Sequence, residues 1–314
     1  MVGKIPIITG GTLIFIATIL LILQLAGMKP NQTKSKEKLL GAQGNKFYIA
    51  GLAYFLLGII IGTGLWTGWM QPLGVTGKPV EVHIHANNWG LLSLVFAGLI
   101  IDLYPVWTGK QFANPKTINI IFWAMVTGAF GLIFGPWFSS KALLVPGLVL
   151  HLGATILLLV NYAKPLHADG GQCSIGLKHV LLSYLWILAP VLMAPFVLFG
   201  VGNLPAATIE SNAPQALVYG WILQFGIAVF PYFFSRALHP EQKSHKLGGS
   251  MLTLVLMNIG GIFLWASIFS EPSRGLLSGI AYFLWSIALT SVVVELWGMI
   301  RASLGRLEKG LGVA

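Results

Sequence analysis

The sequence has little charge. Only 9% of its 314 residues are Asp, Glu, Lys or Arg, whereas 56% are hydrophobic. Soluble domains carry roughly 25% charged residues, and the mean hydropathy of this chain is +0.80. A water-soluble globular fold is therefore excluded, and most of the chain is expected to lie in lipid.

Cysteine is almost absent, since Cys173 is the only one in the chain. No disulfide can form within the chain, and the C-x-x-C-H motif that attaches c-type haem does not occur. A disulfide-stapled fold and a covalently attached haem are both excluded.

Long polar stretches are also lacking, and the longest covers only residues 28–46. The chain instead contains nine apolar stretches of about the 20 residues that cross a hydrocarbon core. Backbone groups in lipid must bond within their own segment, so these stretches are predicted to be helices. The sequence thus predicts an all-α polytopic membrane protein, a single integral-membrane domain over residues 1–314. The predicted spans are near 5–27, 47–70, 84–107, 117–136, 142–163, 179–202, 213–236, 249–270 and 275–300.

The net charge of +10 follows the predicted topology. Of the 19 lysines and arginines, all but Lys4, Lys78, Lys141 and Arg274 fall on one side of the predicted membrane. The positive-inside rule then places the N-terminus outside and the C-terminus in the cytoplasm. The first span lacks a small-residue cleavage site and is expected to be retained. We expect a multi-pass protein of the cytoplasmic membrane of a prokaryote, in contact with lipid, with no nucleic-acid partner.

Two pairs of segments are similar within the chain. LYPVWTGK (103–110) is similar to VFPYFFSR (229–236), and WFSSKALL (137–144) to IFSEPSRGLL (268–277). Because four spans separate the members of each pair, they favour a parallel repeat of helices 3–5 and 7–9, and such repeats often carry a binding site. The alternative is that an aromatic residue, a proline and a base simply end any cytoplasmic helix.

Three of the seven histidines occupy unusual positions. His151 lies near the middle of the fifth predicted span, where an ionisable side chain by default marks a functional site. His83 and His85 begin the third span, and residues two apart on a helix point about 200° from each other. Either the first turn is irregular and both bind one ion, or each has its own partner. The remaining histidines are expected to face solvent or lipid headgroups: His167, His179, His239 and His245.

Other polar residues near these histidines also belong to the candidate site. Asn87 and Asn88 are expected to cap the helix or to orient a ligand histidine. Met70, at the end of the second span, is an alternative metal ligand. Asp102 and Glu295 lie inside the third and ninth spans, where carboxylates relay protons or form ion pairs.

The third span resembles a known group of proteins. H-x-H-x-N-x-x-G (83–90), followed by an aliphatic helix that ends in Y-P-x-W-T-G (104–109), is similar to NnrS-type membrane proteins and to short relatives of haem–copper oxidase subunit I and nitric oxide reductase. The resemblance covers mainly residues 83–110. It implies that His83 and His85 are a ligand pair and that His151 is a further ligand, to a b-type haem or to copper.

The chain departs from that group in its number of histidines. A complete haem–copper centre uses about six intramembrane histidines, and this chain has three. We therefore expect an oxidoreductase subunit of a respiratory or nitric-oxide-related electron transport system rather than a complete oxidase or reductase. It would exchange electrons with other membrane or redox subunits. The alternatives are a metal-free transporter or permease, and a structural membrane anchor of a larger complex with vestigial ligand positions.

Overall fold

The computed structural model describes residues 3–28, 43–168, 173–200, 205–242 and 244–311. These residues contain no strand and nine helical spans that are long and apolar enough to cross a membrane. The predicted number and type of spans are therefore confirmed for the described part of the chain. We number the spans 1 to 9: Lys4–Gly27, Asn45–Thr67, Pro79–Thr108, Pro115–Trp137, Lys141–Leu166, Ile175–Phe199, Ala206–Leu238, Met251–Phe269 and Glu271–Arg306.

The chain folds into two compact units, Met1–Gly170 with spans 1 to 5 and Gly171–Ala314 with spans 6 to 9. Most of the predicted polar linker, residues 29–42, lies outside the described residues.

Glycines of span 2 allow span 3 to approach closely. A methyl group added at Gly51 would lie 3.1 Å from the carbonyl oxygen of Leu91, and one added at Gly62 would lie 2.5 Å from Cε1 of His83. Small residues permit this kind of close helix packing in membranes. The face of span 3 that carries His83 therefore rests directly on the backbone of span 2.

Span 3 is not one regular α-helix. It consists of the α-helix Pro79–His85, the π-helix Ala86–Leu92 and the α-helix Ser93–Thr108. The π-helical bond from the Ser93 N–H to the Asn88 carbonyl closes the middle segment. Short π-helical segments inside α-helices occur frequently at functional sites. The π-helix therefore begins directly after His85, and both histidines lie in the regular α-helix that precedes it.

The connection before span 3 is tied to the end of span 4. The amides of Thr76 and Gly77 donate to the Trp137 carbonyl at 3.1 and 3.0 Å, and the Lys78 amide donates to Pro136 at 3.0 Å. In return, the Trp137 indole N–H donates to the Gly74 carbonyl at 3.1 Å. These bonds fix where span 3 begins.

Spans 4 and 5 also pack through glycine. A methyl group added at Gly147 would lie 2.8 Å from Cα of Gly131, and one added at Gly128 would lie 2.7 Å from the backbone nitrogen of His151. The backbone of His151 is therefore held against span 4.

In the second unit, span 6 is broken and span 7 is irregular. Span 6 comprises the α-helices Ile175–Ser183 and Leu185–Phe199, which meet at Tyr184. Span 7 comprises Ala206–Gln215, the π-helix Ala216–Leu223 and the α-helix Gln224–Leu238. Span 8 begins with a capping box between Ser250 and Thr253.

Candidate functional site

His83 is braced from span 2 and from its own helix. Its Nδ1 lies 2.8 Å from the Gly58 carbonyl oxygen. Because a carbonyl only accepts, Nδ1 carries the proton and Nε2 carries a lone pair. The Asn87 side-chain amide donates to the His83 carbonyl at 2.8 Å. Asn87 therefore stabilises the backbone that bears the histidine, as expected for a residue that orients it.

His85 has the same protonation pattern on another face of the helix. Its Nδ1 lies 2.6 Å from the Leu132 carbonyl oxygen of span 4, so Nε2 again carries the lone pair. His83 thus bonds to span 2 and His85 to span 4. The two imidazoles are therefore oriented by different neighbouring spans.

His151 is buried, with 2% of its surface exposed. Its Nε2 lies 3.0 Å from Oγ of Ser93, the first residue after the π-helix, and 3.4 Å from the Trp89 carbonyl oxygen. The Thr155 hydroxyl donates to the His151 carbonyl at 2.8 Å. The imidazole therefore links span 5 to span 3.

Trp89 contacts both His85 and His151. Its ring centroid is 6.4 Å from that of His85 and 5.3 Å from that of His151, with edge-on geometry at 68° and 69°. The indole is therefore an aromatic neighbour shared by an imidazole of span 3 and an imidazole of span 5.

Met70 and Asn88 lie close to the histidines in sequence or in space. Met70 packs on the apolar cluster that includes Val82 and Ala86, on either side of His83 and His85. Asn88 is buried within the π-helix. Met70 is thus close to the segment that bears the histidines. The Asn88 carbonyl accepts the π-helical hydrogen bond from the Ser93 amide.

The two intramembrane carboxylates lie in different units. Asp102 accepts hydrogen bonds from the Gly44 amide at 2.9 Å and from the Tyr48 hydroxyl at 3.1 Å. Glu295 lies in span 9, where its side chain is exposed. Asp102 therefore binds the backbone of the glycine that precedes span 2.

The expected exposure of His179 is wrong. His179 has no exposed surface, because the segment before span 8 folds back over it and the Gly248 amide donates to the Ala228 carbonyl at 2.8 Å. His239 is likewise buried. The small residues of GGS (248–250) were the available signal, since they let a chain approach a side chain closely. The side chain of His167 lies outside the described residues.

Sequence reasoning also missed Gln224. It is a single amide within the apolar run ALVYGWILQFGIAVF, and it is completely buried.

Within the described ranges, no group of three or more His, Cys, Asp and Glu side chains is arranged to hold a metal ion. Comparison of the chain with family models, with curated proteins and with solved structures finds no match.

Proposed function

We propose that this chain is a haem- or copper-binding integral membrane redox subunit that exchanges electrons with partner subunits of a respiratory or nitric-oxide-related system. One observation carries the proposal: His83 and His85 both direct Nδ1–H to a main-chain carbonyl. Metal-binding histidines almost always hold their second nitrogen in this way, which fixes the tautomer and the ring orientation.

His85 is the principal ligand in this proposal. Neutral imidazole suits both iron and copper, and the 2.6 Å contact with Leu132 orients the ring. His83 is a separate ligand position on the other face of span 3. The remaining ligands come from Met70, His151 or a partner subunit.

When bound, the metal would supply one-electron chemistry. The part of this chain is to hold Nε2 of His85 unprotonated and to exclude water around it. Span 3, with 56% of its most apolar stretch buried, provides that dry environment.

We further propose an N-terminus outside, a C-terminus in the cytoplasm and residence in the inner membrane of a prokaryote, on the distribution of Lys and Arg. The parallel repeat of helices 3–5 and 7–9 remains part of this proposal. It is supported by the π-helices in spans 3 and 7, each followed by an α-helix that contains a proline, Pro105 or Pro231.

The test is a reduced-minus-oxidised optical spectrum, with iron and copper counted in the same sample, on protein purified together with its native membrane partners. We expect about one metal per chain, lost in His85→Ala and retained in the matched control His245→Ala. His245 is a loop histidine of the second unit that is bonded to Ser235. A Soret band assigns haem, and copper without that band assigns copper. The absence of both iron and copper from such a preparation would contradict the proposal.

A second candidate function, a structural anchor in a larger complex, is favoured by His151. The Ser93 hydroxyl and the Trp89 ring surround its imidazole in the manner of an ordinary interhelical hydrogen bond. An absence of metal together with an intact complex would support this function.

A further inference from the structure

Gln224 is a polar side chain whose environment is incomplete. It has no exposed surface, and among the described residues neither its amide nitrogen nor its amide oxygen has a hydrogen-bond partner. A buried amide without partners is costly, especially inside a membrane, where bulk water does not reach it. Gln224 therefore calls for a partner that both donates and accepts.

His179 has a similar need, and its neighbours define its protonation. The Thr253 hydroxyl donates to the Ser250 carbonyl at 2.9 Å, so its oxygen accepts from Nε2 of His179 at 3.0 Å. His179 is then the neutral Nε2–H tautomer. Its Nδ1 is a buried acceptor for which the described residues provide no donor.

The two groups lie on the same helix interface of the second unit. Trp221, Gln224 and Ile227 are spaced by three residues and share one face of span 7. At one end of this face, the Trp221 ring contacts the Tyr184 ring at 5.8 Å between centroids.

At the other end of the face, Ile227 and His179 meet at Gly249. A methyl group added at Gly249 would lie 3.3 Å from Cγ2 of Ile227 and 2.6 Å from Cδ2 of His179. Along span 7, Gln224 therefore lies between the residue that contacts Tyr184 and the residue that meets His179 at Gly249.

We propose that water binds in the core of the second unit, between spans 6 and 7, and bridges the amide of Gln224 to Nδ1 of His179. The chemistry selects this ligand. Gln224 requires a donor and an acceptor, His179 requires a donor, and neither group is charged in the tautomer described above. Water is the small neutral molecule with both capacities, and buried waters typically make about three hydrogen bonds to such groups.

The proposal is independent of metal binding in the first unit. It assigns to the second unit an internal hydrated site at the junction of the π-helix Ala216–Leu223 and the α-helix Gln224–Leu238. Evidence against the repeat, or against metal binding by the histidines of the first unit, would leave the proposed water site unaffected.

The experiment is radiolytic hydroxyl-radical footprinting of the full chain in lipid nanodiscs, carried out in ¹⁸O-labelled water. Radicals formed from bound water oxidise adjacent side chains that bulk solvent does not reach. We expect oxidation of Tyr184 and Trp221 to exceed that of Trp285, because the site holds water as buried polar sites do. Trp285 is the matched control because it is equally buried and its indole N–H donates to the Met257 carbonyl at 3.0 Å.

A variant ties the signal to the amide. Gln224→Leu should reduce oxidation of Tyr184 to the level of Trp285 and lower the Tm. The control Gln215→Leu removes an amide that is paired on both sides, since its nitrogen donates to Asn212 and its oxygen accepts from the Tyr282 hydroxyl. This change should leave the oxidation of Tyr184 unchanged. Oxidation of the unmodified chain at the Trp285 level would overturn the proposal. So would a signal that persists in Gln224→Leu, or a raised Tm, because removal of a dry, unpaired amide stabilises a protein. If the variant does not fold, the unmodified chain alone decides.

Discussion

At the residue scale, Trp89 links the surroundings of two histidines. Its ring makes edge-on contacts with both His85 and His151, and its carbonyl oxygen lies 3.4 Å from Nε2 of His151. The two histidines therefore share an aromatic neighbour, and a change at Trp89 would affect the packing of both.

Ser93→Ala tests the role of the His151 hydrogen bond. The change removes the hydroxyl 3.0 Å from Nε2 of a fully buried imidazole. A buried polar group left without its partner costs about 1–3 kcal/mol, so we expect a lower Tm in a thermal melt followed by tryptophan fluorescence. Ser286→Ala is the control, because its exposed hydroxyl donates only to the carbonyl one turn earlier. Equal Tm values for the two variants would show that His151 does not depend on Ser93.

The sequence predicts that His83 and His85 point in different directions, because helical geometry sets residues two apart on different faces. It could not predict which main-chain carbonyls orient the two rings, since Gly58 and Leu132 lie on other spans. The burial of His179 was not predictable from its position in sequence, since it depends on a segment about 70 residues further along the chain, whose Thr253 it contacts.

At the element scale, glycines of span 2 form the surface on which span 3 packs. The His83 ring occupies space that any side chain at Gly62 would need, with Nδ1 2.8 Å from an added methyl group. The His83 ring cannot move aside without loss of a hydrogen bond, because it is also bonded to the backbone of the same span at Gly58.

Gly62→Ala is expected to displace His83 from the Gly58 carbonyl. The added methyl group overlaps the ring, and overpacking of this kind costs about 1–3 kcal/mol. The measurement is the Tm in detergent together with the metal content of the variant. Gly153→Ala is the matched control, because nothing lies within 4 Å of a methyl group there. Equal changes of Tm and metal content in Gly62→Ala and Gly153→Ala would contradict the close packing of His83 on span 2.

Hydropathy predicted how many helical spans the chain contains, but it did not predict where span 3 begins or which segments are π-helical. The thickness of the hydrocarbon core requires runs of apolar residues, and all nine predicted spans correspond to helices among the described residues. Span 3, however, begins at Pro79 rather than near residue 84, because its polar first turns are packed against protein. The π-helices Ala86–Leu92 and Ala216–Leu223 have no hydropathy signature.

At the scale of the whole molecule, the two compact units differ in how their buried polar groups are satisfied. In the first unit, Ser93 directly follows a π-helix and its hydroxyl is paired with His151. In the second, Gln224 directly follows a π-helix, and its side chain has no hydrogen-bond partner among the described residues. The first polar residue after a π-helix is thus paired in one unit and unpaired within the described residues of the other.

Cys173 provides a test of the proposed topology, since it is the single cysteine and precedes span 6. We expect a membrane-impermeant maleimide to label it in inside-out vesicles and not in right-side-out ones. Burial raises the pKa of the Cys173 thiol, and the thiolate is the reactive form. Labelling should therefore be slower than that of free cysteine at neutral pH and should continue to increase at pH values where free cysteine has levelled off. Cys173→Ser gives the background, and labelling from the outside would reverse the topology.

The π-helix of span 3 also lets the span hold an extra residue without turning the histidines away from their partners. A π turn holds about one residue more than an α turn, whereas an extra residue in an unbroken α-helix adds about 100° of rotation. Deletion of one residue within Ala86–Leu92 would therefore restore an α turn and leave Pro79–His85 facing in nearly the same direction. Deletion of one residue within the regular α-helix Ser93–Thr108 would instead rotate the part before it by about that angle relative to the part after it. The effect of a one-residue change in length thus depends on whether it falls inside or outside the π-helix.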